Sequence, residues 1–107
     1  MPTIDISSED LALVRGILAR LLPDRDVRVF GSRAMGTAAE FSDLDLLVMG
    51  DEPLDVAVKA ELRECFAKSG LPFKVDVVEW AACSPAFRRT IERMAIPIPP
   101  AQPGSKE

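Results

Sequence analysis

Three aspartates stand where the pattern of the chain predicts buried strands. Asp43 and Asp45 lie at the start of an apolar run over 44–49, and Asp76 interrupts a valine-rich run over 73–80. Side chains two residues apart on a strand point to the same face, so Asp43 and Asp45 should lie close together. If the two strands are neighbours, Asp76 lies close to Asp43 and Asp45. Three negative charges at such short distances require a cation to neutralise them. Oxygen ligands favour Mg²⁺ or Mn²⁺, which predicts a metal centre at these three residues.

A second group of polar residues follows the predicted strand over 27–30. Gly31 and Ser32 end this strand and open a short helix, so backbone N–H groups and a hydroxyl face the same side. Such an arrangement binds anions. Separately, a Gly-Ser pair is usually a turn, and an Asp-X-Asp segment is usually a solvated edge. Together, a phosphate site beside a metal site indicates phosphoryl or nucleotidyl transfer.

The composition narrows the chemistry further. The chain has 107 residues, 48% of them hydrophobic, and 13 Lys and Arg against 17 Asp and Glu, for a net charge of −4. It has no histidine, which excludes imidazole bases and imidazole metal ligands. Its two cysteines, Cys65 and Cys83, match no zinc-type spacing. We find no secretory signal or apolar run of membrane-spanning length, and the acidic balance disfavours direct nucleic-acid binding. We therefore expect a cytoplasmic protein that binds neither membrane nor nucleic acid.

The periodicity of apolar residues predicts an alternation of helices and strands. The predicted elements are a helix over 7–22, a strand over 27–30, a short helix after 32, a strand over 44–49, a helix over 53–69, a strand over 73–80 and a helix from 84. This order predicts an α/β (α+β) fold with a small three-stranded mixed sheet flanked by about four helices. The prolines after residue 95 predict a domain over 1–95 and a proline-rich extended tail over 96–107.

The motifs resemble those of a known superfamily. Residues 30–36 (FGSRAMG) and 42–48 (SDLDLLV), with ten residues between Ser32 and Asp43, resemble the DNA-polymerase-β-like nucleotidyltransferases. Within that superfamily they are most similar to the minimal nucleotidyltransferases of the MNT or MntA type. The resemblance extends from about residue 27 to residue 79 and implies the nucleotidyltransferase fold.

The resemblance implies roles for individual residues. Gly31 and Ser32 would contact the β- and γ-phosphates of ATP, and Arg33 would reach the triphosphate. Many relatives have a second arginine where this chain has Met35, and this difference bears on phosphate affinity.

The resemblance also assigns the three carboxylates. Asp43 and Asp45 would bind the metal ions, Mg²⁺ or Mn²⁺. Asp76 would complete the second metal site and activate the incoming hydroxyl, which attacks the α-phosphorus and releases pyrophosphate. Nucleotidyl transfer therefore needs no histidine in this chain.

Minimal proteins of this type resemble the antitoxins of HEPN/MNT toxin–antitoxin systems, in which AMP is transferred from ATP to a tyrosine hydroxyl of the HEPN toxin. The chain has no tyrosine, so the acceptor cannot be a tyrosine of its own. Two alternatives remain open. The fold could neutralise a partner by occlusion without catalysis, or it could transfer a nucleotide to a small molecule such as an antibiotic.

Overall fold

Helices and strands alternate along residues 4–98, which are the residues that the computed structural model describes. The elements are α1 (Ser8–Leu21), β1 (Val27–Phe30), α2 (Ser32–Met35), β2 (Leu44–Val48), α3 (Val56–Ala67), β3 (Val75–Glu79), a 3₁₀ turn (Trp80–Ala82), α4 (Pro85–Glu92) and β4 (Ile96–Pro97). The predicted α/β class is confirmed. None of the helices in this part of the chain is long and apolar enough to cross a bilayer.

Side-chain caps determine where three of the helices begin. Ser7 accepts a hydrogen bond from the backbone N–H three residues later at 3.1 Å, and Ser84 does the same at the start of α4. Both caps satisfy helix N–H groups that have no partner within the helix. The helix predicted from residue 53 begins later, because Asp55 is its cap and accepts from the N–H of Ala57 at 3.1 Å.

The sheet has four strands in the order β3-β2-β1-β4, one more than predicted. β2 and β3 are parallel, whereas β1 is antiparallel to both β2 and β4. The fourth strand is short and contains Pro97, which an edge strand tolerates because it pairs on one side only. β4 pairs with β1, so that Arg28 lies opposite Pro97 and Val29 lies opposite Ile96.

The extra strand corrects the prediction of an extended tail from residue 96. The N–H of Ile98 donates to the carbonyl of Val27 at 2.9 Å, and the side chain of Ile98 is buried in the core. Residues 96–98 therefore belong to the sheet and its core. The rest of the predicted tail, residues 99–107, lies outside the described residues.

The main apolar core lies between one face of the sheet and the helices α1 and α3. It is built by alternate residues of β1 and β2 together with one side of each helix, including Val14, Leu18, Val29, Leu46, Leu62 and Phe66. α4 lies on the other face, where the ring of Phe87 meets that of Phe30 edge to face with centroids 6.1 Å apart. Because Phe30 pairs with Asp45 across the sheet, α4 covers the face that carries the aspartate.

Glu79 anchors the loop between β2 and α3 to the end of β3. Its Oε1 accepts from the N–H of Leu54 at 2.6 Å, and its Oε2 lies 3.1 Å from Nζ of Lys59. The side chain is only 11% exposed. The hydrogen bond from Leu54 lowers the pKa of Glu79, burial opposes that shift, and the hydrogen bond and charge of Lys59 lower the pKa further.

We expect Glu79→Gln to destabilise the protein by about 1.5–3 kcal/mol near neutral pH, the range for a hydrogen bond that involves a charged group. A carboxylate whose pKa is lowered by folding stabilises the fold above its unfolded pKa and loses this contribution as the pH falls through the folded value. The difference in the free energy of unfolding between wild type and Glu79→Gln should therefore disappear as the pH is lowered. Urea unfolding from about pH 7 to about pH 3 measures it, and a constant difference across that range would contradict the assignment.

Candidate active site

Gly31 brings the end of β1 directly against Asp45. The register of the sheet pairs Phe30 with Asp45, so the next residue, Gly31, lies beside the carboxylate. Its backbone has a φ of +76°, which glycine adopts readily and other residues do not. A Cβ atom at Gly31 would overlap Oδ2 of Asp45. The glycine predicted to bind phosphate and the aspartate predicted to bind metal therefore adjoin.

The parallel pairing of β2 and β3 places Asp45 directly beside Asp76. Paired residues on neighbouring strands project from the same face of the sheet, and Asp43, just before β2, is near enough for its charge to act on Asp45. Asp45 is half-buried, whereas Asp43 and Asp76 are exposed. Burial raises the pKa of Asp45, and the charges of Asp76 and Asp43 raise that pKa further. Asp45 thus lies close enough to Asp76 and Asp43 for both charges to act on it.

The donor set suits a hard divalent cation. All three groups are carboxylates, and burial together with the charges of Asp76 and Asp43 raises the pKa of Asp45, an effect that a bound cation would oppose. Among residues 4–98, no three acidic or thiol side chains are arranged as a complete metal site. Mg²⁺ commonly takes one or two carboxylates and obtains its remaining oxygens from water and substrate phosphates. Asp43, Asp45 and Asp76 therefore match in chemistry a cation that binds together with a nucleotide.

α2 begins immediately after Gly31 and makes a sharp single turn. The carbonyl of Gly31 accepts from the N–H groups of Ala34 at 3.0 Å and Met35 at 3.2 Å. The turn closes at Gly36, which has a φ of +75°. Ser32 is thus the first residue of the turn and follows the glycine that touches Asp45, in agreement with the predicted strand–turn–helix arrangement. Met35 is 58% exposed.

Arg33 points into the protein, contrary to the expectation that it reaches a triphosphate. Its Nε donates to the carbonyl of Ser42 at 3.0 Å, Nη1 to that of Asp5 at 2.8 Å and Nη2 to that of Glu40 at 3.1 Å. The guanidinium carbon lies 4.2 Å from the centroid of the Phe73 ring. With 5% exposure, the side chain is committed to backbone groups that would otherwise lack a donor.

A small groove of about 100 Å³ adjoins Asp76. Lys59 and Arg63 of α3 line it together with Val75 and Val77 of β3. Sequence reasoning missed both cations. Their spacing of four residues does indicate a common helix face, but only the topology shows that this face borders the strand that carries Asp76.

A model of the nucleotidyltransferase domain matches residues 11–98. The chain belongs to the nucleotidyltransferase domain family. A relative from Haemophilus influenzae, "Probable protein adenylyltransferase MntA", is 45% identical over 95 residues, which are 89% of this chain and 83% of the relative. The resemblance carried by residues 30–36 and 42–48 is thereby confirmed, and the chain is a nucleotidyltransferase.

Solved structures establish the fold independently. A chain in the crystal structure of a toxin–antitoxin with AMP-PNP has a TM-score of 0.70 and 24% identity, covering 87% of this chain and 75% of that chain. A chain in the complex of tri-AMPylated Shewanella oneidensis HEPN toxin with MNT antitoxin has a TM-score of 0.60 and 22% identity, covering 88% and 74%. The nucleotidyltransferase fold predicted from the sequence is confirmed by these likenesses.

Proposed function

We propose that this nucleotidyltransferase transfers AMP from ATP to a tyrosine hydroxyl of a HEPN-type toxin and acts as its antitoxin. The observation that carries the proposal is the contact between the Gly31 turn and Asp45, with Asp76 beside it. The name of the relative from H. influenzae supports AMP transfer to a protein. The structural neighbours that contain AMP-PNP and an AMPylated HEPN toxin support ATP as the donor and the toxin as the acceptor.

In this proposal each element of the site has a distinct task. The backbone of Gly31 and the hydroxyl of Ser32 hold the β- and γ-phosphates, while Asp43 and Asp45 hold Mg²⁺ or Mn²⁺. When bound, the cation offsets the negative charge of the triphosphate. Asp76 orients the acceptor hydroxyl and accepts its proton. The hydroxyl oxygen then bonds to the α-phosphorus, the bond from the α-phosphorus to the bridging oxygen breaks, and pyrophosphate leaves.

The exposure of Asp43 and Asp76 fits an acceptor supplied by another molecule. Both side chains lie at the surface, and no tyrosine occurs anywhere in the 107 residues. A hydroxyl carried by a partner could approach Asp76 from solvent without rearrangement of the sheet. Use of ATP from the metabolite pool also agrees with the predicted cytoplasmic location.

The proposal predicts transfer of label from ATP to the toxin. The protein is incubated with Mg²⁺, ATP labelled at the α-phosphate and the HEPN-type protein encoded beside it. We expect label on a tyrosine of that protein, release of pyrophosphate and loss of its ribonuclease activity. Asp43→Ala should abolish the label because it removes a metal ligand, whereas Asp51→Ala, a change at another exposed aspartate, should not.

Two other outcomes would overturn the proposal. Neutralisation of the toxin without label would indicate that the fold acts by occlusion. Label on a small molecule in place of the toxin would indicate a different acceptor class.

A further inference from the structure

Arg33 contacts the segments that lead into both acidic strands. Its Nε donates to the carbonyl of Ser42, the residue before Asp43, at 3.0 Å. Its guanidinium carbon lies 4.2 Å from the ring centroid of Phe73, three residues before Asp76. Arg33 also belongs to α2, immediately after Ser32. The side chain of Arg33 therefore contacts the segments before Asp43 and Asp76, and its own backbone directly follows Ser32.

The segments that Arg33 contacts meet at one end of the sheet. The N–H of Leu44 donates to the carbonyl of Lys74 at 2.8 Å, which joins the first residue of β2 to the residue just before β3. Asp5 adds a further connection, because its N–H donates to the carbonyl of Arg33 at 2.7 Å while its own carbonyl accepts from Nη1. The position of the guanidinium is thus fixed by contacts from several directions.

The chemistry of arginine explains why this position needs a guanidinium. Its planar fork offers several donors in fixed directions, and here Nε, Nη1 and Nη2 each serve a different carbonyl. A lysine ammonium at the same place has no such fork and cannot reproduce the three directions. Two of the carbonyls, those of Glu40 and Ser42, belong to the loop before β2, and the third, that of Asp5, belongs to the segment before α1, so loss of the fork removes hydrogen bonds from both segments.

We propose that Arg33 is a positioning residue, whose buried guanidinium holds the segments before β2 and β3 in place and thereby keeps Asp43 and Asp76 beside Asp45 for a divalent cation that binds together with the nucleotide. The inference rests on the proposed metal-dependent transfer. It assigns Arg33 an effect on the carboxylates, in contrast to direct contact with the triphosphate. If Arg33 positions the carboxylates, changing it should weaken metal binding. If it contacted the triphosphate, changing it would weaken nucleotide binding.

The test compares binding of Mn²⁺ and of AMP-PNP to wild type and Arg33→Lys. Mn²⁺ is titrated in the presence of AMP-PNP and followed by electron paramagnetic resonance, and AMP-PNP is titrated by calorimetry at saturating Mn²⁺. We expect the Kd for Mn²⁺ to rise about 10- to 100-fold, as is typical when a group that orients a metal ligand is removed. The Kd for AMP-PNP at saturating Mn²⁺ should change far less. The reverse pattern, with weak AMP-PNP binding and unchanged Mn²⁺ affinity, would overturn the proposal.

Arg25→Lys is the matched control. Arg25 also holds a loop through backbone carbonyls, with Nε donating to Met49 at 2.9 Å and Nη2 to Glu52 at 2.8 Å, but it does so after β2 and away from the aspartates. Both lysine variants should lower the unfolding temperature, and only Arg33→Lys should weaken Mn²⁺ binding. Equal weakening in both variants would show that the effect is general destabilisation, and the proposal would fail.

A milder variant keeps the test decisive if Arg33→Lys does not fold. Phe73→Leu removes the ring under the guanidinium and leaves the three hydrogen bonds in place. It should weaken Mn²⁺ binding in the same direction by a smaller factor, and wild-type affinity in this variant would count against the proposal. Because the measured quantity is metal affinity, a wild-type protein that binds Mn²⁺ but labels no toxin would overturn the proposed function and leave the role of Arg33 intact.

Discussion

Asp45→Asn is expected to reduce AMP transfer by at least about a thousandfold while leaving the fold as stable as the wild type or more so. The loss of rate follows from the loss of a carboxylate that holds the cation, because metal ions contribute several kcal/mol of charge stabilisation and each ~1.4 kcal/mol is a factor of ten. The asparagine side chain has nearly the same shape as aspartate. The change therefore removes charge from the centre of the site with little effect on packing.

The expected gain in stability follows from the pKa of Asp45. Burial and the neighbouring charges of Asp76 and Asp43 raise that pKa above its usual range. A carboxyl whose pKa is raised by folding binds more protons in the folded state than in the unfolded state, so its contribution to stability falls as the pH rises through this interval. At neutral pH the ionised Asp45 therefore destabilises the fold, and asparagine relieves this effect.

The measurements are the rate of transfer of labelled AMP and the free energy of unfolding in urea, with and without Mg²⁺. Mg²⁺ should stabilise the wild type, since a ligand that binds only the folded state shifts unfolding by mass action, and should not stabilise Asp45→Asn. Asp51→Asn, at an exposed loop position, should resemble the wild type in both assays. A transfer rate near that of the wild type, or clear destabilisation of Asp45→Asn at neutral pH, would show that Asp45 does not have this role.

The parts of the fold that were predictable from the sequence are those that depend on nearby residues. Ser7 and Ser84 cap their helices through residues three positions away, and the run over 27–30 ends at a glycine because the chain turns there. The acidic residues Asp45 and Asp76 were conspicuous because each interrupts an apolar strand pattern. Local chemistry therefore identified the carboxylates before their arrangement was known.

The parts that were not predictable depend on contacts between distant segments. Ile96–Pro97 becomes a strand only because β1 has a free edge about 70 residues earlier in the chain, and no local pattern in a proline-rich segment reports this. The direction of Arg33 is determined by carbonyls of Asp5, Glu40 and Ser42, which its own neighbours in the sequence do not reveal. Sequence reasoning thus directed Arg33 to the triphosphate, whereas in the structure its donors serve backbone carbonyls.

Gly31→Ala is expected to reduce both stability and AMP transfer, because two separate costs coincide at this residue. A φ of +76° is unfavourable for alanine, at about 1–3 kcal/mol for a strained backbone. In addition, the new Cβ would overlap Oδ2 of Asp45, so the turn or the carboxylate must move. Displacement by about 1 Å in a site that works by positioning is enough to lower the rate about a hundredfold.

Gly36→Ala is the control at the other end of the α2 turn. Gly36 also has a positive φ, +75°, but its ψ of 19° lies in the left-handed helical region, unlike the −154° of Gly31, and a Cβ there would meet no atom within 4 Å. Gly31→Ala should therefore be destabilised more than Gly36→Ala in urea unfolding, and only Gly31→Ala should also lose AMP transfer and Mn²⁺ affinity. If Gly36→Ala lost activity to the same extent, the strain of the α2 turn would explain both results. If Gly31→Ala alone loses it, the site requires both the glycine conformation at position 31 and the close approach of that residue to the Asp45 carboxylate.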